Sequence, residues 1–130
     1  MVAGLSDDEL AFLQGAFELA RQGDGELVDL VRAGLPVNLT NATGDTLLVL
    51  AAYHQHTDLV SELIALGADT ARVNDRGQTA LAAAVFRRST AIVSALLTAG
   101  ADPALGERSA YAIARFFDLP DMLALLDVAG

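Results

Sequence analysis

No cysteine occurs anywhere in the sequence. That removes disulfides, thiolate nucleophiles and thiolate metal sites at once, and it fits a reducing compartment. Tryptophan is absent too, and aromatic residues make up only 5% of a chain that is 53% hydrophobic. The core must therefore be built from Ala, Leu and Val, a composition that favours closely packed helices over a β-sandwich. Positive charge is scarce, with 8 basic residues against 17 acidic ones and a formal net charge of -9. Such a surface offers no footprint for phosphate backbones or anionic lipid, so neither nucleic acid nor a membrane is expected as a partner. Met1 to Leu10 (MVAGLSDDEL) has no basic segment and turns acidic before any apolar stretch develops, unlike a secretory leader. No run approaches the roughly eighteen unbroken apolar residues of a membrane span. These absences predict a soluble, cytoplasmic chain, and 130 residues suffice for a single domain with a core of its own.

What is present is a repeat. Asn41-Ala-Thr-Gly-Asp-Thr-Leu-Leu-Val-Leu-Ala-Ala-Tyr53 lies without a gap over Asn74-Asp-Arg-Gly-Gln-Thr-Ala-Leu-Ala-Ala-Ala-Val-Phe86, an offset of 33 residues. The register continues through Leu59-Val60 over Ile92-Val93, Leu63-Ile64 over Leu96-Leu97, and Gly67-Ala68-Asp69 over Gly100-Ala101-Asp102. Each unit reads as two short antiparallel helices and a protruding loop. The first helix begins at Thr46 or Thr79 and carries alanines where it must lie close to its neighbours. The second presents the i, i+1, i+4, i+5 pattern of one buried face, and Gly67 or Gly100 stops it. Weaker copies flank the pair. Leu19 to Val28 overlays Ala51 to Val60 at an offset of 32, and Ser109 to Ala114 overlays Thr79 to Ala84 at an offset of 30. Ser6-Asp-Asp-Glu9 forms a capping box, and Asp7, Gln14, Glu18 and Arg21 make a polar stripe expected to face water.

On these residues the unit resembles an ankyrin repeat, with Thr46-Leu-Leu-Val-Leu-Ala-Ala and Thr79-Ala-Leu-Ala-Ala-Ala standing where the family has T-P-L-H-x-A-A. The Pro and His of that motif are missing from both copies, Gln55 and Arg88 replace the usual Gly, and His56 matches the Gly-His histidine. The likeness is strongest to the small, free-standing bacterial ankyrin proteins. It implies an all-α ankyrin-repeat solenoid of four helix-turn-helix repeats, two full and two modified caps, linked by short β-hairpin-like loops. The repeats are expected at about residues 6–34, 35–67, 68–100 and 101–129 of one domain.

The resemblance also implies a function: non-catalytic capture of a protein partner in a concave groove formed by loop tips and first-helix ends. The partner that the resemblance implies is a protein segment, or the surface of an enzyme that is regulated or stabilised. By register the groove positions are Thr40, Ala42, Thr43, Asp45, Tyr53 and His54, then Val73, Asp75, Arg76, Gln78, Phe86 and Arg87. The partner-binding set is Thr43, Asp45, Tyr53, His54, Asp75, Arg76, Gln78, Phe86 and Arg87. Tyr53, Phe86 and Phe116 are equivalent and would form an aromatic row, which serves either as interface anchors or as padding between helix ends.

Other readings find less support. His54 and His56 point apart on a helix and have no cysteine or acidic cluster beside them, so no metal is expected. No nucleophile, glycine-rich phosphate loop or buried carboxylate pair is discernible, so neither an enzyme nor a cofactor is expected. Asn38, Asn41 and Asn74 read as turn residues. The last helix, with Leu119, Met122, Leu123, Leu125, Leu126 and Val128, leaves an alternative: a self-associating structural protein dimerising through that apolar segment.

Overall fold

The computed structural model describes residues 5–129, with side chains through 127. Met1 to Gly4 of the leader reading, and the Val128 side chain of the dimer reading, lie outside them. Eight helices follow one another: α1 (Asp7–Gln22), α2 (Glu26–Arg32), α3 (Leu47–Tyr53), α4 (Thr57–Ala65), α5 (Ala80–Phe86), α6 (Thr90–Thr98), α7 (Ala110–Phe116) and α8 (Pro120–Ala129). Odd-numbered helices stack in one row and even-numbered helices in a second row behind it, each helix also packing on its partner in sequence.

Local chemistry sets the helix starts. Thr46, Thr79 and Ser109 cap α3, α5 and α7, each hydroxyl accepting the N–H of the residue three positions on at 3.1 Å. At α1 the capping box forms as read: the Ser6 hydroxyl accepts from the Glu9 N–H at 3.1 Å, and the Glu9 carboxylate from the Ser6 N–H at 3.0 Å. Gly67 and Gly100, at φ 95° and 91°, end α4 and α6.

The two central inner helices are apolar all round because they are covered all round. Leu47 through Ala52 of α3 and Ala80 through Val85 of α5 are buried without a break. In the outer row only one face is buried: Leu59, Val60 and Leu63 in α4, Ile92, Val93 and Leu96 in α6. The end members α1 and α7 have an inner-row neighbour on one side only, and each buries just three residues. Asp7, Gln14 and Glu18 of the α1 stripe are exposed, and Arg21 is half-buried.

The loops correct one expectation: they are not β-hairpins. Among the described residues no strand forms, and the nearest approach is an isolated antiparallel bridge between Thr40 and Thr46. The reason lies in the asparagines. Asn41 Oδ1 accepts the N–H groups of Thr43 (3.0 Å) and Asp45 (2.9 Å), and Asn74 Oδ1 those of Arg76 and Gln78 (both 3.0 Å). Side chains thus take the donors a strand ladder would need. One backbone bond closes each neck, Asn41 N–H to the Asp45 carbonyl and Asn74 N–H to the Gln78 carbonyl, both at 3.0 Å. Successive loops are stitched together instead: the Asp75 N–H donates to the Thr43 carbonyl and the Arg108 N–H to the Gly77 carbonyl, again at 3.0 Å. Gly44, at φ 77°, sits in this seam, where an added Cβ would lie 2.8 Å from the Asp75 carboxylate.

Candidate functional site

The residues expected to bind a partner lie in the loops and at the C-terminal ends of the inner helices, all of them at the surface of that face except Asp45, which is buried beneath it. Its centre is aromatic. Tyr53 ends α3 and Phe86 ends α5, and their rings stack with centroids 6.1 Å apart and planes 10° apart. The Arg87 guanidinium lies 5.2 Å above the Tyr53 ring. With its amide oxygen turned toward Arg87, Gln55 accepts from the guanidinium at 2.9 and 3.3 Å. His54 meets the Tyr53 ring edge-on at 5.2 Å.

The row continues, but not as the register predicts. Phe86 contacts Phe117, edge-on at 5.6 Å, and Phe117 contacts Phe116 at 4.9 Å. Phe116 projects with 82% of its surface exposed, against 40% for Phe86 and 44% for Phe117. Beside these rings a cavity of about 440 Å³ opens, lined by Gln78, Phe86, Arg108, Ala112, Ile113, Phe116 and Phe117. Phe117 and Arg108 were missed in the sequence. The offset of 30 that aligns Phe116 with Phe86 also places Phe117 on Arg87 and Arg108 on Gln78, so the signal was present.

The loop residues divide. Thr43, Asp75 and Arg76 are exposed, as are Thr40, Ala42 and Val73, whereas Gln78 is half-buried. Asp45 is only 5% exposed. Its Oδ1 accepts from Asn74 Nδ2 at 2.7 Å and its Oδ2 from the Thr43 hydroxyl at 2.8 Å, with the Arg76 guanidinium 3.9 Å away. This carboxylate joins two loops of the stack and is not presented to a ligand. Asn38 likewise does more than turn the chain: its Oδ1 accepts the Asp69 N–H at 2.8 Å, across adjacent loops.

The histidines have separate roles. His56 Nε2 donates to the Arg21 carbonyl at 2.6 Å, occupying one of the backbone oxygens left open at the end of α1. The ring fits because Gly23, at φ 71°, has no Cβ to collide with it. His54 is exposed, yet its pKa is lowered: partial desolvation is the main cause, followed by His56, Arg21 and Arg87, with Glu18 opposing. Among the described residues no group of three or more His, Cys, Asp or Glu side chains could hold a metal ion. None of their helices is long and apolar enough to cross a membrane.

Known proteins share the repeat. The family described as ankyrin repeats (3 copies) matches residues 16–106. A protein of Pseudomonas aeruginosa described as a putative ankyrin repeat protein is 52% identical over 50 residues, which are 38% of this chain and 29% of that protein. The chain thus spans less than a third of that relative's length.

Proposed function

The chain belongs to the ankyrin-repeat family, and from that premise we propose that it is one module of four repeats, at about residues 6–34, 35–67, 68–100 and 101–129, holding a segment of a protein partner in a concave groove. Ankyrin-repeat proteins are non-catalytic scaffolds that generally act as protein-interaction modules. The observation that carries the reading is the unbroken row of partly exposed rings, Tyr53 to Phe86 to Phe117, running along three inner-helix ends. Rings held by their neighbours lose little entropy on binding and bury a large area. Tyr53, His54, Phe86 and Arg87 form the floor of the groove, and Thr43, Asp75, Arg76 and Gln78 its rim. Asp45 supports them from beneath.

The reading is tested by Tyr53→Ala and Phe86→Ala. Both are expected to abolish retention of the partner from a lysate of the native organism while leaving helical content and melting temperature nearly unchanged. If both variants unfold, the rings are core and the reading fails. The dimer alternative has less behind it. None of the described α8 side chains is among the exposed large hydrophobic residues, and Met122 and Leu126 are buried against the stack. A concentration-dependent doubling of mass in light scattering, lost on substituting Leu123 or Leu125, would restore it.

A further inference from the structure

We infer that the groove's C-terminal half accepts a peptide segment bearing a carboxylate side chain next to a large apolar one. The inference rests on the groove reading above and specifies the chemistry of its occupant. The apolar half of the argument is the cavity itself. Its volume of about 440 Å³ falls within the range of small-ligand sites, and the mostly exposed Phe116 ring stands at its edge.

The polar half is Arg108, which lines the same cavity. Its backbone is held by the bond to the Gly77 carbonyl, yet among the described residues its guanidinium has no hydrogen bond or ion pair. Glu107 is exposed next to it in sequence but does not line the cavity.

The distribution of charge favours the same occupant. All eight cations of the chain are arginines, which stay charged and pair with carboxylates through two parallel N–H donors. Arg76, Arg87 and Arg108 are on the loop and inner-helix-end face, whereas α3 and α5 contain no charged residue at all. The same loops also carry Asp45, Asp75 and Glu107, so this face is close to neutral, while the acidic excess lies elsewhere, with Glu26, Asp29, Asp58 and Glu62 on the outer helices. At physiological salt, charges farther away than about 8 Å are largely screened, so a docked segment responds to the nearby arginine more than to the net charge. A single arginine suits a carboxylate; a phosphate dianion calls for a cluster.

The test is an NMR titration of the full chain with dodecapeptides of Gly and Ser carrying a central Phe flanked by two Glu. Companion peptides have Gln or Lys in place of Glu, or Ala in place of Phe. The Glu/Phe peptide is expected to move the Arg108 Nε–H and the Phe116 and Phe117 amide signals and to bind about fivefold more tightly than the Gln/Phe peptide, the scale of one exposed ion pair. Arg108→Gln should erase that advantage and Arg108→Lys, which keeps the charge but not the two parallel donors, should keep only part of it, with circular dichroism confirming the fold of each. Equal or tighter binding of the Gln/Phe or Lys/Phe peptide overturns the inference; the groove reading survives that result if Phe116→Ala still weakens binding. Absence of any shift at the cavity at millimolar peptide overturns both.

Discussion

Asn74 spends one side chain on two tasks: its oxygen closes its own loop and its nitrogen reaches back to the buried Asp45 of the loop before. Removing the amide leaves a carboxylate in a 5% exposed site without its best donor, which is costlier than the loss of an ordinary hydrogen bond. Asn74→Ala is expected to cost about 2–4 kcal/mol in urea unfolding. Asp45→Ala with Asn74→Ala should cost clearly less than the sum of the two single changes; strict additivity would mean the pair is not coupled. The equivalence of Asn41 and Asn74 was legible in the repeat, but the burial of Asp45 was not. Its donor lies 29 residues away, and an acidic loop residue looks exposed until the next repeat is laid over it.

His54 allows a pH prediction with a definite sign. The folded chain holds its pKa below the ordinary 6.5, mainly through partial desolvation and then the neighbouring His56, Arg21 and Arg87. The unfolded state therefore binds the proton more readily, so stability is intact above about pH 6.5 and declines as pH falls through the lowered folded value. In an NMR titration the His54 ring signals should show a midpoint below 6.5. A midpoint at that value would remove the effect, and one above it would reverse the sign.

Among the elements, the inner helices matched their reading because capping and burial are local and periodic. Thr46, Thr79 and Ser109 mark the starts, and the alanine runs fall where neighbouring helices touch. The turns behind them carry strain. Gln55, Arg88 and Asp118, at φ 64°, 57° and 52°, occupy the left-handed position that Gly23 fills at φ 71° in the first pair. A side chain there costs about 1–2 kcal/mol, of which glycine recovers part after its own entropic loss of about 0.5–1 kcal/mol. Arg88→Gly is thus expected to stabilise the chain by about 0.5–1 kcal/mol and raise the melting temperature by about 2–3 °C. A lower melting temperature would mean that the Arg88 side chain makes a compensating contact. The loops are where the element-level expectation failed, because the family's habit suggested hairpins and the asparagine side chains claimed the necessary backbone donors.

At the scale of the molecule, a stack in which each pair of helices packs against its neighbours gives its interior two interfaces and its ends one. Hydrogen exchange should therefore be slowest in α3 and α5, where six consecutive residues are buried, and faster in α7 and α8. Equal protection in α7 and α5 would point to a single all-or-none unit. The sequence alone determined the family likeness, the all-helical stack, the helix starts and the candidate face, because a period of 33 residues records which positions every repeat must share. It could not determine how the repeats meet. Only the tertiary structure decided that Asp45 is sealed under Asn74, that the row of rings runs through Phe117, and that Arg108 borders a cavity with Phe86. Those contacts join residues of different repeats, and a pattern that describes one repeat at a time holds no record of the surface between two.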